Sequence, residues 1–155
     1  MTEDDIVQFV ATLPRATAMM ASQATGAPEV AWGDWFFFYD REGETPPDRR
    51  FPFGTIVTKD YDGWDTFSQL NRPGIFRLNI AVGRHRFEDL MGYSLAEHAK
   101  KQQLFDYTAL DRLLPHPVYG SQGWVSILNP GDTTGDQAKS LLTEAHARAT
   151  ERRRP

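Results

Sequence analysis

Proton transfer near neutral pH needs a group that can hold and release a proton there, and two positions in this sequence qualify, His116 and Asp34. His116 stands between Pro115 and Pro117, with Tyr119 close behind. Its ordinary pKa of about 6.5 suits a general acid or base, and the same ring would equally serve to order the loop by hydrogen bonding. Asp34, in an extended segment, shares a face with Trp32, Phe36 and Phe38. A carboxylate among aromatic rings calls for a cation or a set of donors. Arg77 and Asn79 alternate with Phe76, Leu78, Ile80 and Val82, so in a strand they project from the opposite face. Lys59 falls on a further strand. Gathered on one open sheet face, these side chains would present two cations, an amide and a carboxylate, with Trp32, Trp64 or Trp124 as walls. Arg77 would be the fork that holds an anionic or polar small ligand. The plainer reading of the same set is a solvated outer face with a cross-strand ion pair, where Arg77→Ala would barely alter folding.

Other chemistry is thinly represented. The sequence contains no Gly-x-x-x-x-Gly-Lys-Ser/Thr, Gly-x-Gly-x-x-Gly, Gly-x-Ser-x-Gly or His-Glu-x-x-His pattern, so neither a phosphate loop, a dinucleotide turn, a nucleophile elbow nor a zincin helix is encoded. Gly120-Ser121-Gln122-Gly123 reads as flexible loop. His85, His98, His116 and His146 are too widely spaced to chelate locally; three of them fall in helical segments, where a solvated imidazole is ordinary. Asp60, Asp62 and Asp65 are spaced for a hard cation or for a turn, without the remaining ligands of an EF-hand loop. No metal or cofactor is implied.

The 155 residues suit one domain with 12% aromatics to fill its core, no cysteine and a formal net charge of −4. The missing cysteines remove disulfides and thiolate chemistry and fit a cytoplasmic setting. An acidic start, Met1-Thr2-Glu3-Asp4-Asp5, is unlike a signal peptide, and the aromatic run Trp35 to Tyr39 is far short of a membrane span. The charge disfavours nucleic acid as a partner, leaving a small molecule, a protein or a second copy of the chain.

The elements that must position these residues follow from periodicity. Thr2 and Asp5 form a capping box for a helix over 2–13 whose apolar stripe is Ile6, Phe9, Val10 and Leu13. Residues 15–28 read as a connection and 29–40 as a strand; a charged loop over 41–50 leads to strands over 51–60 and 75–82. Three short helices are expected: one around Phe87 closed by Gly92, one opened by Ser94, and one opened by Thr108 and Asp111 that carries Leu110, Leu113 and Leu114. A strand over 123–128 and a final helix follow, the helix capped by Thr133 or Thr134 with Ala138, Leu141, Leu142 and Ala145 on one face. Arg148 and Arg152 to Arg154 crowd its C-terminal end. The order α-β-β-β-α-α-β-α with short links between early strands predicts an α+β two-layer sandwich, an antiparallel sheet of about four or five strands with helices on one face.

Several segments are specific enough to carry a resemblance: Val30 to Asp34, Phe53 to Tyr61, Phe76 to Ile80, Asp106 to Asp111, Leu114 to Tyr119 and Gly123 to Pro130. Over nearly the whole chain they resemble an uncharacterised domain family common in actinobacteria. The strand Trp124 to Leu128 with Asn129-Pro130 and a closing helix is also, more faintly, similar to MmcQ/YjbR-like proteins, which implies a two-layer fold and suggests nucleic-acid binding. The residues themselves favour a non-enzymatic small-ligand-binding or protein-interaction domain that uses an exposed sheet face, possible homodimer included. The rival is a small enzyme with His116 or Asp34 as its acid–base group.

Overall fold

The computed structural model describes residues 1–39 and 51–152; the expected loop over 41–50, and Arg153 and Arg154, lie outside them. Helix α1 (Glu3–Ala11) begins where its capping box requires. The Thr2 hydroxyl accepts from Asp5 N–H at 3.0 Å, and the Asp5 carboxylate accepts from Thr2 N–H at 2.9 Å. These two bonds satisfy donors that a bare helix end leaves unpaired. Strands β1 (Ala16–Met20), β2 (Trp35–Tyr39), β3 (Gly54–Val57) and β4 (Arg77–Ala81) follow, then helices α2 (Arg84–Met91) and α3 (His98–Lys101). Strands β5 (Leu113–Pro115) and β6 (Trp124–Leu128) and the long helix α4 (Gly135–Arg152) complete the chain. The six strands form one antiparallel sheet in the order β1-β2-β3-β4-β6-β5. The architecture is the expected α+β one, with one or two strands more than periodicity predicts.

Alternation in β4 decides which face is covered by helices. Leu78 pairs with Ile56 on one side and Ile127 on the other, and Ile80 with Gly54 and Val125. All but the glycine join the buried cluster that Ile6 and Val10 of α1, Phe87 of α2 and Leu141, Leu142 and Ala145 of α4 complete. Each large side chain buried there contributes about 1.5–3 kcal/mol. Gly54 lies where β3 passes under α4. A Cβ at that position would sit 3.1 Å from the Phe37 ring, 3.2 Å from the Asn79 carbonyl and 3.3 Å from Leu142, so the absence of a side chain is what lets helix and sheet close.

Four expectations are corrected. Residues 16–20 form β1 rather than a connection. The strand over 29–40 starts only at Trp35, because residues 29–31 make a turn of 3₁₀ helix. The helix from Ser94 is broken into single turns, and Ser94 makes no capping bond; the Leu95 N–H goes instead to Glu88 Oε2 at 2.6 Å. The helix expected from Thr108 and Asp111 is absent: Thr108 turns back on Asp106, and residues 113–115 are β5. Asp111 adopts a left-handed backbone (φ 52°) and orders the turn that leads into α4. Its carboxylate accepts from the N–H groups of Gly131, Thr133 and Thr134, each at 2.9 Å, and from the Thr134 hydroxyl at 2.6 Å. That hydroxyl bond above all, with the backbone donors, holds the carboxyl well below the usual range.

Leu141 and Leu142 are both fully buried. Leu141→Ala and Leu142→Ala should each lower unfolding stability by about 2–5 kcal/mol in urea titrations, and two variants as stable as the parent would show that α4 is not docked on the sheet.

Candidate functional site

The polar residues of the sheet do share the face away from the helices, as the register of β4 requires, but that face is not open. Residues 58–72 cross it as a strap. Arg77 is 1% exposed and fully engaged within the chain. Its Nη2 donates to Asp65 Oδ2 at 2.6 Å, Nη1 to Asp65 Oδ1 at 3.3 Å and to Ser68 Oγ at 3.0 Å, and Nε to Asn79 Oδ1 at 2.8 Å. Asn79, equally buried, passes the chain on by donating to Thr55 Oγ1 at 3.0 Å. The exposed sheet face expected from the sequence is therefore corrected: the guanidinium fork holds a carboxylate of its own chain. The physical reason is the strap, whose Asp65 and Ser68 are themselves buried.

Asp34 anchors the start of the same strap. Completely buried, it accepts from Thr58 N–H at 2.9 Å, Thr58 Oγ1 at 2.8 Å, the Tyr61 hydroxyl, and Lys59 Nζ at 3.4 Å. Burial, and then the bond to Asp34, push the Tyr61 phenol well above its ordinary range. Lys59, expected on a strand, instead follows the end of β3 and belongs to the strap, where it also donates to the Trp32 carbonyl. Trp32 itself lies before β2 rather than on its face, and its indole N–H closes the local turn on Ala27 O at 2.9 Å. Asp60 ties the far end of the strap, accepting from Leu70 N–H at 2.8 Å. Asp60 and Asp65 are thus both engaged within the chain, and among the described residues no group of three His, Asp or Glu side chains is placed to hold a metal ion.

His116 is locked into its loop. Its Nδ1 accepts from the N–H groups of Val118 at 3.0 Å and Tyr119 at 2.9 Å, which places the proton of the neutral ring on Nε2. Burial, and then the charge of Arg77, hold its pKa well below the ordinary value. Its ring lies 5.0 Å from that of Tyr119 and 6.3 Å from that of Trp124. Asp34 and His116 belong to opposite ends of one layer, linked through the rings of Tyr61, Trp64 and Tyr119 rather than by contact. Two other histidines depart from the solvated reading. His98 is stacked on Tyr93, whose hydroxyl lies 2.8 Å from its Nδ1, and His146 bonds the Pro14 carbonyl at 2.7 Å between the rings of Tyr39 and Phe53.

A groove and an aromatic surface lie near this layer and are open to solvent. A groove of about 590 Å³ runs between the start of α1 and the end of the strap, lined by Glu3, Thr58, Leu70, Arg72, Phe76 and Asn129 among others; Asp34, Arg77 and His116 do not line it. The outer surface of the strap carries Trp64 and Phe67, 49% and 54% exposed. Trp64 meets Tyr119 edge-on at 5.9 Å, and Phe67 meets Tyr107 at 6.4 Å. Sequence reasoning did not single out Tyr61, Ser68 or Phe67. A guanidinium on an alternating strand signals that a carboxylate is needed, but nothing local says that Asp65 folds back to supply it.

These features define an α+β protein with an apolar helical layer on one side of the sheet and a strapped, buried polar layer on the other. The chain matches the model of the family of unknown function DUF6194 over residues 1–155 and belongs to that family. No curated protein and no solved structure matches it, so the fainter likeness to MmcQ/YjbR-like proteins gains no support there.

Arg77→Ala should cost about 3–5 kcal/mol, because it strands the Asp65 carboxylate in the interior, whereas the apolar pair Arg77→Met with Asp65→Leu should recover most of that loss. Urea unfolding of the three proteins measures both, and an Arg77→Ala variant as stable as the parent would remove the pair from the account. Since His116 stays neutral when folded but titrates near about 6.5 when unfolded, the unfolded chain binds more protons below that pH. Stability is therefore complete above about pH 6.5 and falls on acidification, by up to about 1.4 kcal/mol per pH unit for one such group. His98, lowered by burial, acts in the same direction. His116→Asn, which keeps an acceptor for the two N–H groups, should flatten the slope between pH 6.5 and 5 without abolishing it.

Proposed function

We propose that this chain is a non-enzymatic protein-interaction domain of the cytoplasm that meets its partner through the outer, aromatic surface of the strap. The observation that carries this reading is that Trp64 and Phe67 stand half-exposed on a segment whose inner side is fixed by Arg77 and Asp34. Aromatic side chains supply most of the anchoring energy at protein interfaces, and a platform already rigid loses little entropy when it binds. The rival enzymatic reading has less behind it. His116 has Nδ1 occupied by two backbone donors, Asp34 is fully engaged, and the two do not converge on a cavity. A second reading, a small ligand, rests on the groove: the Glu3 carboxylate lines it without a partner among the described residues, and burial together with the charge of Asp34 pushes its pKa up. A cation such as an ammonium group is what would relieve that site.

The test pairs the two readings. A photoreactive residue at position 64 should cross-link one stoichiometric partner, and with that partner purified, Trp64→Ser with Phe67→Ser should cost at least about 2 kcal/mol of binding, some 30-fold. The double variant should stay folded. Unchanged affinity in the folded variant would end the interaction reading at this surface, and a thermal upshift with a small ammonium compound that survives in the double variant would move the function to the groove.

A further inference from the structure

The two edges of the sheet are not alike. At β5 the edge is guarded as edges usually are: the strand has three residues, ends in Pro115 and packs against α2. At β1 it is bare. Ala16-Thr17-Ala18-Met19-Met20 contains no charge and no proline, and no charged residue occurs from there to Pro28.

The direction of its backbone groups follows from neighbouring bonds. Phe53 N–H reaches the Phe37 carbonyl at 2.8 Å from the β3 side, so Phe36 and Phe38 turn their polar groups toward β1, where they stand opposite Met19 and Thr17. Ala21 N–H agrees, reaching the Asp34 carbonyl at 2.8 Å. Ala18 and Met20 therefore direct N–H and C=O away from the sheet, and among the described residues no strand lies beyond them.

We propose that β1 is a dimerisation edge, pairing antiparallel with β1 of a second copy about a two-fold axis at Ala18, so that the six strands of each copy join in one sheet. The occupant is a second copy because the edge is self-complementary. In this register Ala18 faces Ala18 and exchanges both bonds, and each Met20 faces Ala16, a large side chain opposite a small one. The Ala16 N–H is already taken by the Leu13 carbonyl at 3.1 Å, which leaves its carbonyl to receive the Met20 N–H. Met20, 45% exposed, would be covered. Charge points the same way: two copies of a chain of net charge −4 repel at most approaches, whereas the five residues of β1 carry no charge and the flanking Arg15 of each copy falls at an opposite end of the ladder, facing Ala21. An isologous pairing of this kind closes after two copies. The surface is separate from Trp64 and Phe67, so it stands whether or not the strap is an interaction site.

Sedimentation or light scattering across a concentration series should give twice the chain mass, with the Ala18 and Met20 amides protected from hydrogen exchange in the dimer and unprotected on dilution. Ala18→Pro removes only an outward N–H, which an edge strand tolerates, and should yield a folded monomer; Met20→Lys should do the same by placing a charge on the edge. A monomer at every concentration overturns the inference, as does a dimer in which both amides exchange freely. A dimer that persists in folded Met20→Lys and dissolves in Trp64→Ser with Phe67→Ser also overturns it, assigning self-association to the strap.

Discussion

Arg77 is buried on a sheet, bonded to a carboxylate and two further side-chain oxygens, and most of the non-helical side of the molecule is arranged around its charge. An isolated guanidinium at that depth would cost several kcal/mol in lost hydration. The chain answers by bringing Asp65 and Ser68 back over the sheet, so the strap exists where it does because the cation beneath it must be satisfied. Asn79 and Thr55 extend the same network across β3 and β4. Burial, and then this positive charge, hold the His116 pKa well below its ordinary value.

Asp34 performs the matching task for the opposite sign at the strap's first residues. With Thr58, Lys59 and Tyr61 around it, the strap is pinned at both ends by polar groups, while its outer side is free to carry aromatic rings. The two layers of the protein thus differ in kind. The helical side is held by apolar packing that tolerates small shifts, whereas the strapped side is held by directional bonds that admit one arrangement. Membership of a family of unknown function leaves the use of that arrangement to be read from its surfaces.

Local pattern made much of this legible. The capping box at Thr2 and Asp5, the closure of α2 at Gly92, the buried stripe of α4 and the inward set Leu78 and Ile80 all depend on spacing within one element, where period and capping chemistry act directly. The opposite projection of Arg77 and Asn79 belongs with them, since a strand's alternation cannot be escaped. β1 was not legible, because Ala16 to Met20 has no alternation to distinguish it from a connection and becomes a strand only by lying beside β2. β5 was misread because three leucines near Asp111 suit a helix equally well until β6 offers them a ladder.

What the sequence determined by itself was therefore the inventory of charges, the face each strand residue takes and the identity of the core. Tertiary structure alone decided how those charges are satisfied. Asp65 lies 12 residues before the arginine it neutralises, Thr58 lies 24 residues from Asp34, and Asp111 holds the turn into α4 through Thr134, 23 residues on. Periodicity reaches only a few residues along the chain, whereas a buried charge selects its partner by distance in space, so the closing of the polar face was set by the fold and not by any local run of residues.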